Sequence, residues 1–369
     1  MIIQNNRIAI FHNLPEGGGL RMINNIVNRY KNKFEIDLYI ISDIKPKKIA
    51  GVTNNYIQVK PWKGFIQRNM WIFFVLPTIH KKLARTINKT YKKILVTHDY
   101  FTKSPYLLRY LKINNIYLCQ ETQREFYEPW GIHAPSLREK VANIFRLPIK
   151  TIDKVNTTSA GTIICNSKYS QAAIKSAYNR DSHIVYPGVN ENFFKPQSSK
   201  KEKIILCVGG LNPVKNQLFL ISSLKPILNE YKLVLVGTGK KEYIKKIMHQ
   251  SGSSSKIEIV KNISDVGLRS LYRRAMVTCI SAYKEPFGLS SLESQSCSTP
   301  VVSVKEGGPI ETIINGKTGY LAQKDSGKYL GMVLSAIANN VKMGKNARKN
   351  IINKWTWKKT LREFDKYLI

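Results

Sequence analysis

Short apolar runs separated by amphipathic stretches recur along this chain; the series runs once, stops at a polar segment, and starts again. In the first half, residues 8–12, 36–42, 94–98, 116–119 and 162–166 read as strands, and residues 22–31 and 106–111 as helices. Strand-then-helix alternation implies a parallel sheet covered on both faces. Residues 195–202, Lys-Pro-Gln-Ser-Ser-Lys-Lys-Glu, are polar and carry a proline, which marks a linker. The alternation then resumes, with strands expected at 203–208, 232–236, 257–260, 277–280, 301–304 and 319–321, and helices at 218–224, 242–249, 268–275 and 289–296. The expectation is an α/β chain of two Rossmann-like, doubly wound domains, 1–196 and 203–352. The carboxyl ends of both sets of strands would face a central cleft holding one ligand. A length of 369 residues suits two such domains.

Several other classes fall away. Five cysteines lie singly and far apart with no CxxC pair, which gives zinc and redox chemistry little support and points to core residues in a reducing compartment. The chain opens on a strand pattern rather than a charged segment and long apolar run. No stretch reaches the ~20 apolar residues that span a bilayer, so a soluble or peripheral protein is expected. The formal net charge is +35, with 30 Lys/Arg against 12 Asp/Glu in residues 1–197 and 29 against 12 in the remainder. A nucleic-acid-binding protein predicts a clustered basic face and a recognisable module, and neither is visible. An even spread leaves two sources: compositional bias, and attraction to an anionic membrane surface. In residues 62–93, Trp62, Phe65, Trp71, Phe73 and Phe74 are interleaved with Lys63, Arg68, Lys81, Lys82 and Arg85. That pattern suits a membrane interface, and equally an amphipathic helix packed on the first domain.

The segment Ser281-Ala-Tyr-Lys-Glu-Pro-Phe-Gly-Leu-Ser-Ser-Leu-Glu293 carries the most chemistry. Glu285 falls in the loop after the strand at 277–280, Pro286-Phe287-Gly288 turns the chain, and Glu293 sits early in the following helix. Free amides in such a loop and at a helix N-terminus make a site for a diphosphate or for sugar hydroxyls. Two flanking carboxylates suit hydroxyls, which donate to them; an exposed pair at a helix end is the plainer reading. Gly17-Gly18-Gly19 stands between a strand and a helix, where the absence of Cβ atoms lets backbone approach a ligand or simply forms a loop. His98 ends an expected strand and is read either as touching an acceptor or sugar, or as a satisfied strand-end histidine.

This segment resembles the signature of the retaining glycosyltransferases of family four, whose fold is GT-B: two glutamates separated by seven residues, with Pro-Phe-Gly between. The resemblance extends to Cys207-Val-Gly-Gly-Leu-Asn-Pro-Val-Lys-Asn216, similar to the family's diphosphate-binding strand and loop, and to Leu233-Val-Leu-Val-Gly-Thr-Gly239, similar to its next glycine turn. Ser270–Ala275, Ser298–Val302, Gly307-Gly308-Pro309 with Glu311, and Asn315–Gly319 follow in family order. In the first half, the glycine loop at 17–19, Ile163–Ser167 and Val185–Val189 resemble family segments, so the likeness covers nearly the whole chain and is strongest over 203–322.

The resemblance implies a retaining transferase moving a sugar from a UDP- or GDP-linked donor to a glycan or a polyprenyl-diphosphate-linked acceptor. Its setting would be cell-surface polysaccharide or lipopolysaccharide assembly, in the cytoplasm or peripherally on the inner membrane face. It implies no metal and no resident cofactor, and no Asp-x-Asp occurs. Lys215 would neutralise the donor phosphates, Glu285 would hold the donor sugar near its reacting carbon, and Glu293 would bind the ribose hydroxyls. Gly209, Gly210, Asn216, Gly237, Phe287, Gly288 and Leu289, with Gly17, Gly18 and Gly19, would line the donor. A last helix, 355–369, would cross back to the first domain. Two departures stand out. The family's arginine partner of the phosphate lysine is Gly210 here, leaving Arg21 or Lys305 to compensate. The family's His-Glu after the middle strand is Gln120-Glu121, which moves any acceptor-side role to His98 or Glu121. A non-catalytic relative that binds a nucleotide sugar is the alternative those departures raise.

Overall fold

The computed structural model describes residues 6–14, 17–44, 48–134, 136–197, 200–252 and 255–369. The chain divides into two compact units. One comprises Met1–Val185 and Leu361–Ile369, the other Tyr186–Thr360.

The first unit is built on a parallel sheet of β1 (Arg7–Phe11), β2 (Glu35–Ser42), β3 (Thr53–Gln58), β4 (Lys93–Val96), β5 (Asn114–Leu118), β6 (Thr162–Cys165) and β7 (His183–Ile184). Its spatial order is β3-β2-β1-β4-β5-β6-β7. The central strands β1, β4 and β5 are apolar on both faces because helices cover both: Phe11, Val96 and Tyr117 are buried on one face and Ile10, Leu95 and Ile116 on the other. The helix Gly18–Tyr30 follows β1 with Met22, Ile23, Ile26, Val27 and Tyr30 on its inner face, a 3.6-residue period. β3 was not legible: Thr-Asn-Asn-Tyr-Ile-Gln lies at the sheet edge, half-buried along most of its length, and carries no apolar run.

The second unit repeats the plan with β8 (Glu202–Val208), β9 (Lys232–Val236), β10 (Ile257–Val260), β11 (Ala275–Ile280), β12 (Val301–Val304) and β13 (Gly319–Ala322), in the order β10-β9-β8-β11-β12-β13, all parallel. In both units the first strand has the second on one side and the fourth on the other. The connections therefore reverse direction between β1 and β4, and again between β8 and β11. In doubly wound sheets this switch leaves a crevice at the carboxyl ends of the two strands, where ligands bind.

The division of the chain differs from the boundary expected at 196–203. It falls between Val185 and Tyr186, because Val189 and Phe194 are buried with Ile204, Leu206 and Val236 in the second unit. Val189 donates its amide to Trp355 O at 2.9 Å, and a Cβ on Gly188 would lie 2.4 Å from Trp357 N, so this segment is core backbone. Ser198 and Ser199 of the expected linker lie outside the described residues. The last helix, Trp357–Leu368, starts in the second unit, and Leu361–Ile369 belong to the first, where Tyr30 Oη donates to Asp365 Oδ1 at 2.7 Å and Phe364 is fully buried. All five cysteines are buried and unbridged. Among the described residues no helix is long and apolar enough to cross a membrane.

Candidate functional site

The residues of the second unit's site hang from the two strands that flank its switch point. After β8 the chain runs through Gly209, Gly210, Leu211, Asn212, Pro213 and Val214 to Lys215, and Asn216 adopts a left-handed conformation (φ 54°) to start the helix Gln217–Leu224. Two glycine turns hold this loop. Gly209 N donates to Val236 O at 2.9 Å and Leu211 N to Thr238 O at 2.7 Å. Gly237 has φ +153°, and a Cβ there would lie 2.0 Å from Gly209 O, so only glycine permits the approach. Gln217 Nε2 donates to Gly210 O at 2.9 Å.

After β11 the loop 281–288 crosses to meet it. Tyr283 N donates to Val214 O at 2.8 Å and Ser281 Oγ to Lys215 O at 2.9 Å, so the lysine backbone is gripped from the opposite side of the switch point. Lys215 Nζ forms an ion pair with Glu285 Oε2. The same loop, left-handed at Lys284 (φ 44°), is held by the glycines after β12. Gly308 N donates to Glu285 O at 2.7 Å, and a Cβ on Gly307 (φ +69°) would lie 2.3 Å from that oxygen. Gly288 is left-handed (φ 86°) and starts the helix Leu289–Ser296, whose N-terminus no side chain caps among the described residues. Unclaimed amides beside an ammonium group make an anion site.

Glu293 sits one turn into that helix and is buried, accepting from Tyr272 Oη at 3.0 Å. From Ser291 onward the helix is mostly polar yet buried, which the sequence pattern does not suggest. Ser294 Oγ donates to Thr278 Oγ1 at 2.8 Å, Gln295 Nε2 donates to Thr312 O at 3.1 Å, and Arg348 Nη1 donates to Ser296 O at 3.1 Å. This polar packing, in which most of the buried groups are bonded, fixes the helix in one position. Phe287 is buried against Tyr186 and Trp355, at 6.2 and 5.9 Å between centroids, and fixes the loop from behind.

Gly210 offers no cation. A Cβ there would meet Asn212 Nδ2 at 3.1 Å, so any side chain at this position requires a small shift of Asn212, which holds Lys215 N through its side-chain oxygen at 3.0 Å. Lys305 is exposed at the carboxyl end of β12, and Arg21 lies on the helix Gly18–Tyr30 of the first unit.

The first unit gathers the other expected residues at the carboxyl ends of β1, β4 and β5. Gly17 (φ +153°) precedes the helix that Gly18 and Gly19 begin, and no side chain caps it among the described residues. A Cβ on Gly19 would lie 3.3 Å from Gln120 Oε1, which places Gln120 against the glycine turn. His98 is buried with Nε2 unbonded among the described residues, and burial, helped by Lys103, pushes its pKa well below the usual imidazole range. It is a neutral ring at physiological pH. Burial raises Glu121, but the Lys103 ammonium at 2.6 Å more than offsets this and holds the carboxyl at about 2. Four members, Asn13, Asp99, Thr102 and Lys103, were not read from the sequence. Asn13 Nδ2 donates to Asp99 Oδ1 at 2.8 Å, Thr102 Oγ1 donates to Asp99 Oδ2 at 3.0 Å, and Lys103 neutralises Glu121. Asp99 adjoins His98 and was findable by that adjacency; Lys103 and Asn13 had no signal.

Among the described residues no group of three or more His, Cys, Asp or Glu side chains is placed to hold a metal ion. Residues 188–354 match the family model described as glycosyl transferases group 1. A probable sucrose-phosphate synthase of Thermosipho melanesiensis is 28% identical over 49% of this chain and 45% of its own length, so the match spans about half of that relative. An uncharacterized glycosyltransferase of Methanocaldococcus jannaschii is 28% identical over 90% of this chain and 89% of its own. Among solved structures, that of Anabaena HepE in complex with UDP and glucose superposes with a TM-score of 0.76 over 99% of both chains, at 17% identity.

Proposed function

We propose, for a glycosyltransferase whose second unit belongs to the glycosyl transferases group 1 family, the transfer of a sugar from a UDP- or GDP-linked donor with retention at the anomeric carbon. The acceptor is a glycan or a polyprenyl-diphosphate-linked intermediate of cell-surface polysaccharide or lipopolysaccharide assembly, met at the cytoplasmic face of an anionic membrane. The observation that carries the reading is the Lys215–Glu285 ion pair, set across the switch point beside the uncapped N-terminus of the helix Leu289–Ser296. A cation, a carboxylate and free amides at one point match a diphosphate joined to a sugar: the first and last take phosphate oxygens, the second takes sugar hydroxyls. The complex of the Anabaena protein with UDP and glucose supports a nucleotide sugar as donor.

On this reading the donor diphosphate replaces Glu285 as the partner of Lys215, and Glu285, released, accepts a hydroxyl of the donor sugar. Glu293 accepts the ribose hydroxyls. Amides of Phe287, Gly288 and Leu289 line the phosphates, and the bare backbone of Gly209, Gly210 and Gly237, beside Asn216, admits the nucleotide closely. The bond from the anomeric carbon to the diphosphate breaks, the oxygen of an acceptor hydroxyl takes its place, and the hydroxyl proton passes to the departing diphosphate. Lys215 and the amides stabilise the charge that develops on the departing diphosphate, the kind of preorganised electrostatics that supplies factors of about 10²–10³ per donor group. In the first unit, Gln120 and Glu121 serve the acceptor side, and the glycine turn of Gly17, Gly18 and Gly19 serves the donor. His98, neutral through burial, acts there as a hydrogen-bonding group rather than a cation. No resident cofactor takes part.

A panel of UDP-, GDP-, ADP- and dTDP-sugars, followed by thermal shift and by slow hydrolysis, tests this. One nucleotide should raise the melting temperature of the wild type and of neither Lys215→Ala nor Glu293→Ala. If none does, the donor site is misassigned. The bare Gly210 favours a second reading, a relative that binds the nucleotide sugar without transferring it; binding with no hydrolysis and no transfer would select that reading.

A further inference from the structure

The first unit exposes an apolar face that its own core leaves uncovered. In the helix Leu137–Phe145, Leu137, Val141, Ile144 and Phe145 recur at the i, i+4, i+7, i+8 spacing that normally turns a stripe toward the core. Here the stripe points to solvent, with 78%, 45%, 52% and 60% of each residue exposed, while the buried residue of the helix is Asn143. The orientation is fixed rather than frayed: Ser136 and Glu139 form a capping box, and Arg146, just past its end, reaches Glu125 at 2.7 Å. The helix Phe65–Phe74 does the same in part. Trp71 and Ile72 are buried, whereas Ile66, Met70 and Phe74, four residues apart, are exposed. The rings of Phe65 and Phe145 meet edge to face at 6.5 Å, so the two helices present one continuous face.

Contiguous apolar surface of this kind marks a contact with something else, and the surrounding charge identifies it. Residues 60–74, the helix and the turn that leads into it, hold three Lys/Arg and no Asp or Glu. Lys63 on one side and Arg138, Lys140 and Lys154 on the other are exposed. The acidic groups near these helices are spoken for: Glu139 in the capping box, Glu125 with Arg146, Asp43 with Arg68 at 3.8 Å, and Asp153 buried. A second copy of the chain laid face to face would oppose cations to cations. An anionic bilayer satisfies both components, taking the apolar stripes at acyl depth and the cations at the phosphates.

We infer that the face formed by the helices Phe65–Phe74 and Leu137–Phe145 docks in the plane of an anionic lipid surface, the two stripes entering the headgroup boundary and Lys63, Arg138 and Lys140 pairing with lipid phosphates. The inference rests on the reading of the acceptor as lipid-linked and assigns the part of the chain that meets that lipid. The full chain is sedimented with phosphatidylcholine vesicles with and without about a third phosphatidylglycerol. Binding is expected to the anionic vesicles, weakened at least tenfold by 0.5 M NaCl. Phe65→Glu with Phe145→Glu, both at exposed positions, should lower the partition coefficient by about tenfold or more. Nucleotide-sugar hydrolysis in lipid-free buffer should be unchanged in that variant, which reports the catalytic reading separately. If the variant fails to fold, Lys63→Glu with Lys140→Glu carries the test through the salt dependence. No binding to anionic vesicles, or binding indifferent to both pairs of substitutions, overturns the inference. So does a wild-type dimer by light scattering that the aromatic substitutions dissociate, since the face would then belong to a second copy.

Discussion

Lys215 and Glu285 hold each other until a ligand arrives, so removing one has a different consequence from removing the other. Lys215→Ala takes away the charge that meets the diphosphate and leaves a half-buried carboxylate facing it. Nucleoside diphosphate affinity should fall by about 10- to 100-fold, as expected for a charge-assisted contact. Glu285→Gln frees the lysine from its competitor. The diphosphate should then bind as tightly as to the wild type, or a few-fold tighter, while turnover drops by about 10² or more because the sugar is no longer held. Titration calorimetry with the nucleotide that the donor panel selects, beside initial rates, separates the two. Equal losses of affinity in both variants would mean that the pair is only a structural bridge between two loops. Both residues were legible in the sequence because each belongs to a motif with a fixed place after a strand. Their mutual contact was not, since it depends on the register of two loops 70 residues apart.

The elements divide in the same way. Strands buried on both faces, such as β4, β8 and β11, announce themselves as apolar runs bounded by turn residues, and the sequence places them to within two or three residues. Where side chains contribute polar rather than apolar packing, the signal is absent. The stretch Arg124–Thr158 forms three short helices and one of twelve residues, organised partly around Glu128, which accepts from Arg124 Nε at 3.0 Å and Tyr169 Oη at 2.7 Å and pairs with His133 at 2.7 Å. Burial raises the Glu128 pKa, but these partners together prevail and hold it at about 2. A carboxyl whose folded pKa lies below its unfolded value stabilises the fold fully above about pH 4.5, and loses that contribution as pH falls toward 2. Glu128→Gln should therefore cost on the order of 2 kcal/mol at pH 7, a deficit that stays level down to about pH 4.5 and then narrows. Urea unfolding of both proteins between pH 7 and pH 2.5 reads this, and a deficit independent of pH would show that packing rather than charge is lost. The paired glycine turns make a separate demand. Gly237→Ala sets a methyl group against Gly209 O, and the protein should lose about 2 kcal/mol or more of stability. A melting temperature within a degree of the wild type would mean that the β8 and β9 loops shift apart freely.

At the scale of the whole molecule the chain repeats one sheet plan twice, and the sequence alternation conveys that repetition because each unit is large enough to bury both faces of its sheet. What it conveys less well is which unit owns the termini of the other. Residues 186–194 precede the polar stretch that looks like a linker, yet they are core to the second unit, since Val189 and Phe194 fill space against β8. The end of the chain makes the complementary case. Leu361, Phe364 and Leu368 recur at helical spacing and are buried, and Leu361 O and the Asp365 carboxylate both accept from Tyr30 Oη, at 3.1 and 2.7 Å. Tyr30 closes the helix that begins at Gly17–Gly19, so the terminal helix braces the far end of the element whose start carries the glycine turn. Phe364→Ala should then cost about 3–5 kcal/mol, the usual loss for a buried phenyl ring, and that loss should be local. Hydrogen exchange should quicken across residues 18–30, while the helix Leu289–Ser296 and the strands β8 and β11 keep their protection. Equal loss of protection in both units would mean that the terminal helix stabilises the molecule as one cooperative body. Unchanged exchange at 18–30 would remove Tyr30 and Phe364 from any part in holding the glycine turn.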